Sequence, residues 1–150
     1  MANVIEVKNS REIQRRFRKL DEAVRDKIMV AAVMDGAEVI RQRTAQMAPK
    51  PAVRRHPEVT RLSESIIKVL TVRSRDRIQA SVSPDRSKGK GGWYGHMVEL
   101  GHKWWYGGFQ GAKPFMGPAF EATKGPAMNV IKNRIQKETS RTTKSLNKEG

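Results

Sequence analysis

The sequence predicts an α+β domain, with long N-terminal helices and a C-terminal helix packed on a small antiparallel sheet. Apolar residues recur at three- or four-residue spacing over 10–47 and again after Pro114. β-Branched residues crowd instead into 62–83, split by a charged turn. The 150 residues suit one domain. A chain of that length buries about two-thirds of the surface its unfolded form exposes, and needs no disulfide or metal staple.

Val4, Ile5 and Val7 suggest a short first strand, and Ser10 reads as the cap of a helix beginning at Arg11. Ile13, Phe17, Leu20, Val24 and Ile28 form one stripe on that helix. The run from Ile28 to Met34 is apolar all round and predicts burial on several sides, and Val33, Ala37, Ile40, Thr44 and Met47 continue the stripe until Pro49 ends it. Asp35-Gly36 suggests a kink or break, giving two helices or one long bent one. Three prolines over 49–57 mark a loop. The main strands are expected over 62–73 and 77–83, and 84–92 reads as a glycine- and charge-rich flexible loop. An aromatic stretch follows, with all three tryptophans and both tyrosines between Trp93 and Tyr106. A final helix opens near Pro114, is expected to be interrupted at Gly125-Pro126, and resumes through Met128, Ile131 and Ile135. Residues 138–150 hold one large apolar side chain, Leu146, and read as a basic, flexible tail on a domain spanning 1–137.

Thirty Lys and Arg face 15 Asp and Glu, a formal net charge of +15. The excess is spread as +4, +5 and +6 over successive thirds, from 11 basic and 7 acidic, 10 and 5, then 9 and 3 residues. Solubility asks a small domain for a net charge of only about 2–8. The surplus suits a surface that faces nucleic acid or acidic neighbours, without one grafted basic arm. Cysteine is absent, which excludes a disulfide framework, Cys-ligated zinc, iron–sulfur clusters and thiol catalysis. No apolar run approaches the roughly 20 residues of a membrane span, and the first residues lack the apolar core of a signal peptide. A protein made in the cytoplasm, without a membrane partner, is expected.

The residues do not predict an enzyme. No nucleophile elbow, P-loop or dinucleotide fingerprint is present, and carboxylates do not cluster as a two-metal nuclease requires. His96 and His102 bracket Glu99, but their six-residue spacing and the flanking Gly95 and Gly101 do not give two imidazoles one helix face. Ser63 and Glu64 fall on opposite faces of the expected strand. No cofactor or metal is expected. Trp93, Trp104, Trp105 and Tyr106, with Tyr94 and Phe109, form either a small core, a subunit interface or, beside Lys88, Lys90 and Lys103, a base-stacking platform. Glu99 stands among apolar neighbours, where a carboxylate needs backbone N–H groups or an arginine as partner. Gly101 and Gly117 read as positions of positive φ or close approach. Pro118 suits the first turn of the last helix.

Three segments in order carry a resemblance: AEVIRQRTAQMAPK closing the first helices, RLSESIIKV soon after, and WYGHMVELGHKWWYGGFQGAKPFMGPAFEATKG. Together they resemble the head–tail joining and tail-completion proteins of long-tailed bacteriophages, the minor-tail-component family related to the lambda tail protein Z. The likeness spans about residues 10–135. It rests mainly on Tyr94, on Val98-Glu99-Leu100-Gly101 and on Pro114-Phe115-Met116-Gly117-Pro118-Ala119. Arg61 departs from the pattern, standing where the family has glycine. The resemblance implies a structural virion protein at the neck or the head-proximal end of the tail. It implies self-assembly into a ring, sixfold by the symmetry of such tails, with neighbouring neck and tail proteins as partners and DNA passing non-specifically through the lumen. A sequence-nonspecific DNA-binding protein is the alternative, and a small nuclease a third reading.

Overall fold

The computed structural model describes residues 11, 15, 18–50, 60–87 and 89–148. The expected strand at 3–7, the cap at Ser10, the stripe residues Ile13 and Phe17 and most of the proline-rich loop lie outside them.

The architecture is α+β. Helix α1 (Glu22–Met47) lies against the last helix, α3 (Met116–Lys148), and also covers a two-stranded antiparallel ribbon of β1 (Ile66–Arg73) and β2 (Ile78–Pro84). Between ribbon and last helix come a short helix α2 (Gly95–Leu100) and a small hairpin, β3 (His102–Lys103) with β4 (Phe109–Gln110).

Helix α1 runs through Asp35-Gly36 without a break, and the chain turns instead at Lys19-Leu20. The glycine serves packing. A Cβ on Gly36 would sit 2.6 Å from Ile131 Cδ1 and Cγ1 and 3.2 Å from the Ala127 carbonyl, so only a bare backbone lets the helices cross this closely. The all-round apolar run behaves as expected: Ile28, Ala32 and Val33 are buried, since α1 touches α3 on one side and the ribbon on the other. Its acidic residues bind these neighbours. Glu38 accepts from Arg41 and pairs with Lys68 on β1 at 3.0 Å, Asp35 pairs with Arg134 on α3 at 3.2 Å, and Asp26 pairs with Arg73.

Residues expected to begin the first strand form a 3-10 turn instead, Leu62–Ser65. Leu62 and Ser65 are both buried there. Ser65 Oγ donates to the Arg61 carbonyl at 2.8 Å, and Arg61 N–H donates to Glu64 Oε2 at 3.1 Å, bonds that favour the turn over extended pairing. Arg61 lies at φ −64°, ψ 153°, a conformation open to any residue, so glycine is not required at that position. In the ribbon, Leu70 pairs with Ala80 and Val72 with Gln79, leaving Thr71 as a bulge. The inward face carries Ile66, Ala80 and Val82; Ile67 and Val69 remain exposed on the outer face.

The expected flexible loop at 84–92 ends in a second 3-10 turn, Gly91–Tyr94, with Gly91 and Gly92 buried. Cβ atoms there would come within 2.1 Å of the Thr60 and Asp85 carbonyls, so these glycines let three backbone segments meet.

Helix α3 is likewise uninterrupted at Gly125-Pro126, and at about 1.5 Å per residue its 33 residues extend about 50 Å. Pro126 removes one backbone donor, but both Pro126 and Ala122, whose carbonyl loses that bond, face solvent. Buried Thr123, Ala127, Ile131 and Ile135 lie on the side packed inward. The boundary expected after Lys137 also falls within helix. Thr139, four residues beyond Ile135, is buried and extends the stripe, so the packed surface outlasts the large apolar residues. Beyond it the helix continues, mostly exposed, to Lys148. No described helix is long and apolar enough to cross a membrane.

Candidate assembly surface

The motif residues gather where α2, the small hairpin and the start of α3 meet. An α-helix leaves its first N–H groups without intrahelical partners and carries partial positive charge at that end. Here the carboxylate of Glu99, from α2, fills the vacancy. It accepts from the backbone N–H of Phe115 at 2.7 Å, Met116 at 3.0 Å and Gly117 at 3.2 Å. The partner expected for this carboxylate is therefore backbone amide, supplied 16 to 18 residues downstream. A second tie, from Lys113 N–H to the Val98 carbonyl at 2.8 Å, holds the approach to α3 against α2.

The other motif residues support this clamp. Phe115 is wholly buried and is the largest such side chain in the core, which fixes the start of α3. Tyr94 packs at the edge of the same core. Gly101 ends α2 at φ +75°, and a Cβ there would lie 2.7 Å from the Gln110 carbonyl, so both conformation and space call for glycine. Pro118 falls in the first turn of α3, where no intrahelical donor is lost, and Pro114 is exposed just before it. Gly117 departs from expectation. Its φ is not positive, and a Cβ would make only an ordinary contact, 3.6 Å from Glu99 Oε1.

On this base stands the hairpin. Its tip turns through Gly107 and Gly108, both at φ above +90°, with Trp104 N–H donating to the Gly108 carbonyl and Gly107 N–H to the Trp104 carbonyl. Trp104 stacks on Tyr106 with centroids 5.6 Å apart and also meets the His102 ring edge-on at 4.5 Å. Trp105 packs edge-on to Tyr106, and Trp93 to Tyr94. The aromatics are not a core of this chain: Trp105 is 94% exposed, Phe109 66% and Tyr106 65%. They order one another and face outward.

Sequence reasoning missed the apolar ground beside them. Leu100 is 74% exposed, and with Ile67, Pro84 and Met116 it lines an open groove of about 530 Å³ that also holds His96 and Glu99. The signal available was the alternation along β1, which puts Ile67 and Val69 on the face opposite Ile66. His96 lies in this groove and His102 under Trp104, so the two imidazoles serve different surroundings; His56 lies outside the described residues. Among the described residues, no group of three or more His, Asp or Glu is placed to hold a metal ion. Compared with known proteins, the chain matches no family model, and no curated protein or solved structure shows significant similarity to it.

Proposed function

We propose that this chain is a structural, non-enzymatic virion protein of a long-tailed phage, assembling as a ring at the neck or head-proximal end of the tail. The observation that carries the reading is the cluster of exposed aromatic rings on a short hairpin braced by the Glu99 clamp. An otherwise polar chain that presents Trp104, Trp105, Tyr106 and Phe109 together, beside the apolar groove at Leu100, offers large, low-entropy contact area to another surface. Tryptophan and tyrosine are the residues that dominate protein contacts when desolvated. The residues that mainly carry the resemblance, Val98–Gly101 and Pro114–Ala119, flank this hairpin in the sequence, so chemistry and pattern point to one region. A hairpin of one copy seated in the groove of the next makes a head-to-tail contact, and such contacts close into rings when the rotation permits. Negative-stain microscopy of concentrated protein beside purified tails tests this. Rings, or density confined to the head end of the tail, are expected; monomers that coat added DNA would favour the alternative DNA-binding reading.

A further inference from the structure

The hairpin and the groove at Leu100 are neighbours in one chain, yet the chain does not join them. Leu100 closes α2, Gly101 turns the backbone at φ +75°, and Trp105 stands 94% exposed beside a groove it does not fill. Three elements line that groove with apolar side chains: Ile67 from β1, Leu100 from α2 and Met116 from α3. Its volume of about 530 Å³ falls in the range of about 300–1,000 Å³ in which proteins hold compact ligands. Methionine adapts its shape to such a guest, and its sulfur favours aromatic rings.

The groove is also anchored and charged. The Glu99 clamp fixes α2 against α3, and Asp85 is tied by its backbone N–H to the Ser65 carbonyl at 2.7 Å. The Asp85 carboxylate accepts from the Ser87 hydroxyl at 2.6 Å and N–H at 2.9 Å, which hold its pKa below the usual value and keep it ionised. The hairpin has the opposite charge. No acidic residue lies between Glu99 and Glu121 in the sequence, while Lys103 and Lys113 do. Copies carrying +15 each repel one another, so a contact is favoured where local charges are opposite. Hairpin against hairpin brings lysine to lysine. Hairpin against groove meets Asp85 and Glu99, with one arginine, Arg86, among the described lining residues.

We propose that this groove is the receptor for Trp105 of a second copy, which seats its ring among Ile67, Leu100 and Met116 and sets Lys103 toward Asp85. The inference rests on the assembly reading and specifies its contact: each subunit carries one donor and one acceptor. Trp104, 40% exposed and stacked on Tyr106, braces the hairpin, and Trp105 is the anchor.

The test is native mass spectrometry of the full chain, alone and in mixtures. Trp105→Ala removes the donor. Leu100→Asp removes the acceptor at a side chain 74% exposed, so its thermal melt should match wild type. Each variant alone should self-associate about tenfold or more weakly. Mixed one to one, they retain a single intact contact, Trp105 of the second in the groove of the first, and should form a dimer that grows no further. Lys103→Glu takes the formal net charge from +15 to +13, which by itself lessens repulsion between copies. It should nevertheless weaken association, because attraction to Asp85 is lost. With wild type assembling, undiminished association of Leu100→Asp, a mixture that stays monomeric, or tighter association of Lys103→Glu would each overturn this contact and leave the assembly reading standing. A wild-type chain that is monomeric at every concentration would overturn both.

Discussion

Replacing Glu99 by alanine removes the acceptor for three N–H groups at the start of α3, and the cost can be worked group by group. Phe115 is wholly buried, so its N–H, 2.7 Å from the carboxylate, is left without a partner; such an orphan costs about 1–3 kcal/mol. The Gly117 N–H belongs to an exposed residue and recovers a water, so its loss counts for little. Removing negative charge from a helix N-terminus costs about 0.3–1 kcal/mol more. The sum is about 1–4 kcal/mol for Glu99→Ala. Glu99→Gln keeps one carbonyl acceptor and loses the charge, and is expected to cost about half as much. In a domain of this size each 1 kcal/mol moves Tm by about 2–4 °C, so a loss of 3 kcal/mol lowers it by about 6–12 °C. Urea and thermal melts of the three proteins measure this directly. An alanine variant within about 0.5 kcal/mol of wild type would show that the clamp contributes nothing and refute the reasoning.

Gly36→Ala should destabilise the fold by about 1–3 kcal/mol through overpacking against Ile131, despite alanine's better helix propensity, and adding Ile131→Val should recover part of the loss in a double-mutant melt. Glu38 is held at a pKa of about 2, below its usual 4.5, chiefly by the Arg41 hydrogen bond and further by Lys68 and Gln42, against a smaller opposing effect of burial. A depressed carboxylate stabilises the fold above the unfolded pKa. Stability is therefore expected to fall as pH drops from about 4.5 toward 2, and Glu38→Gln to flatten that limb in urea titrations. Trp105→Ala should leave the melt of the isolated subunit within about 0.5 kcal/mol of wild type, since its ring is exposed, yet weaken self-association in light scattering. Unchanged oligomers for both Trp104→Ala and Trp105→Ala would place the contact elsewhere.

The α+β class was legible because each element has its own period. The stripe from Leu20 to Thr44 and the β-branched run from Ile66 to Val72 could not exchange roles. Breaks were harder to place, because local propensity treats glycine and proline as punctuation. Gly36 proved to be a crossing point for two helices, and Pro126 sits on a solvent face where a lost hydrogen bond is cheap. Thr139 extended the last helix's packed side because its position on the stripe mattered more than its modest hydrophobicity. At the candidate surface, the need of Glu99 for a partner, either backbone N–H groups or an arginine, followed from chemistry alone, but nothing local in sequence chose between them or linked it to Phe115, Met116 and Gly117.

Native mass spectrometry of the chain alone, across a concentration series, tests the proposed ring assembly most directly. A single closed species, six copies by the resemblance, should grow with concentration at the expense of monomer and disappear in the Trp105→Ala variant. A chain that stays monomeric at the highest soluble concentration, or forms a ladder of open oligomers indifferent to the hairpin aromatics, would contradict the assembly reading.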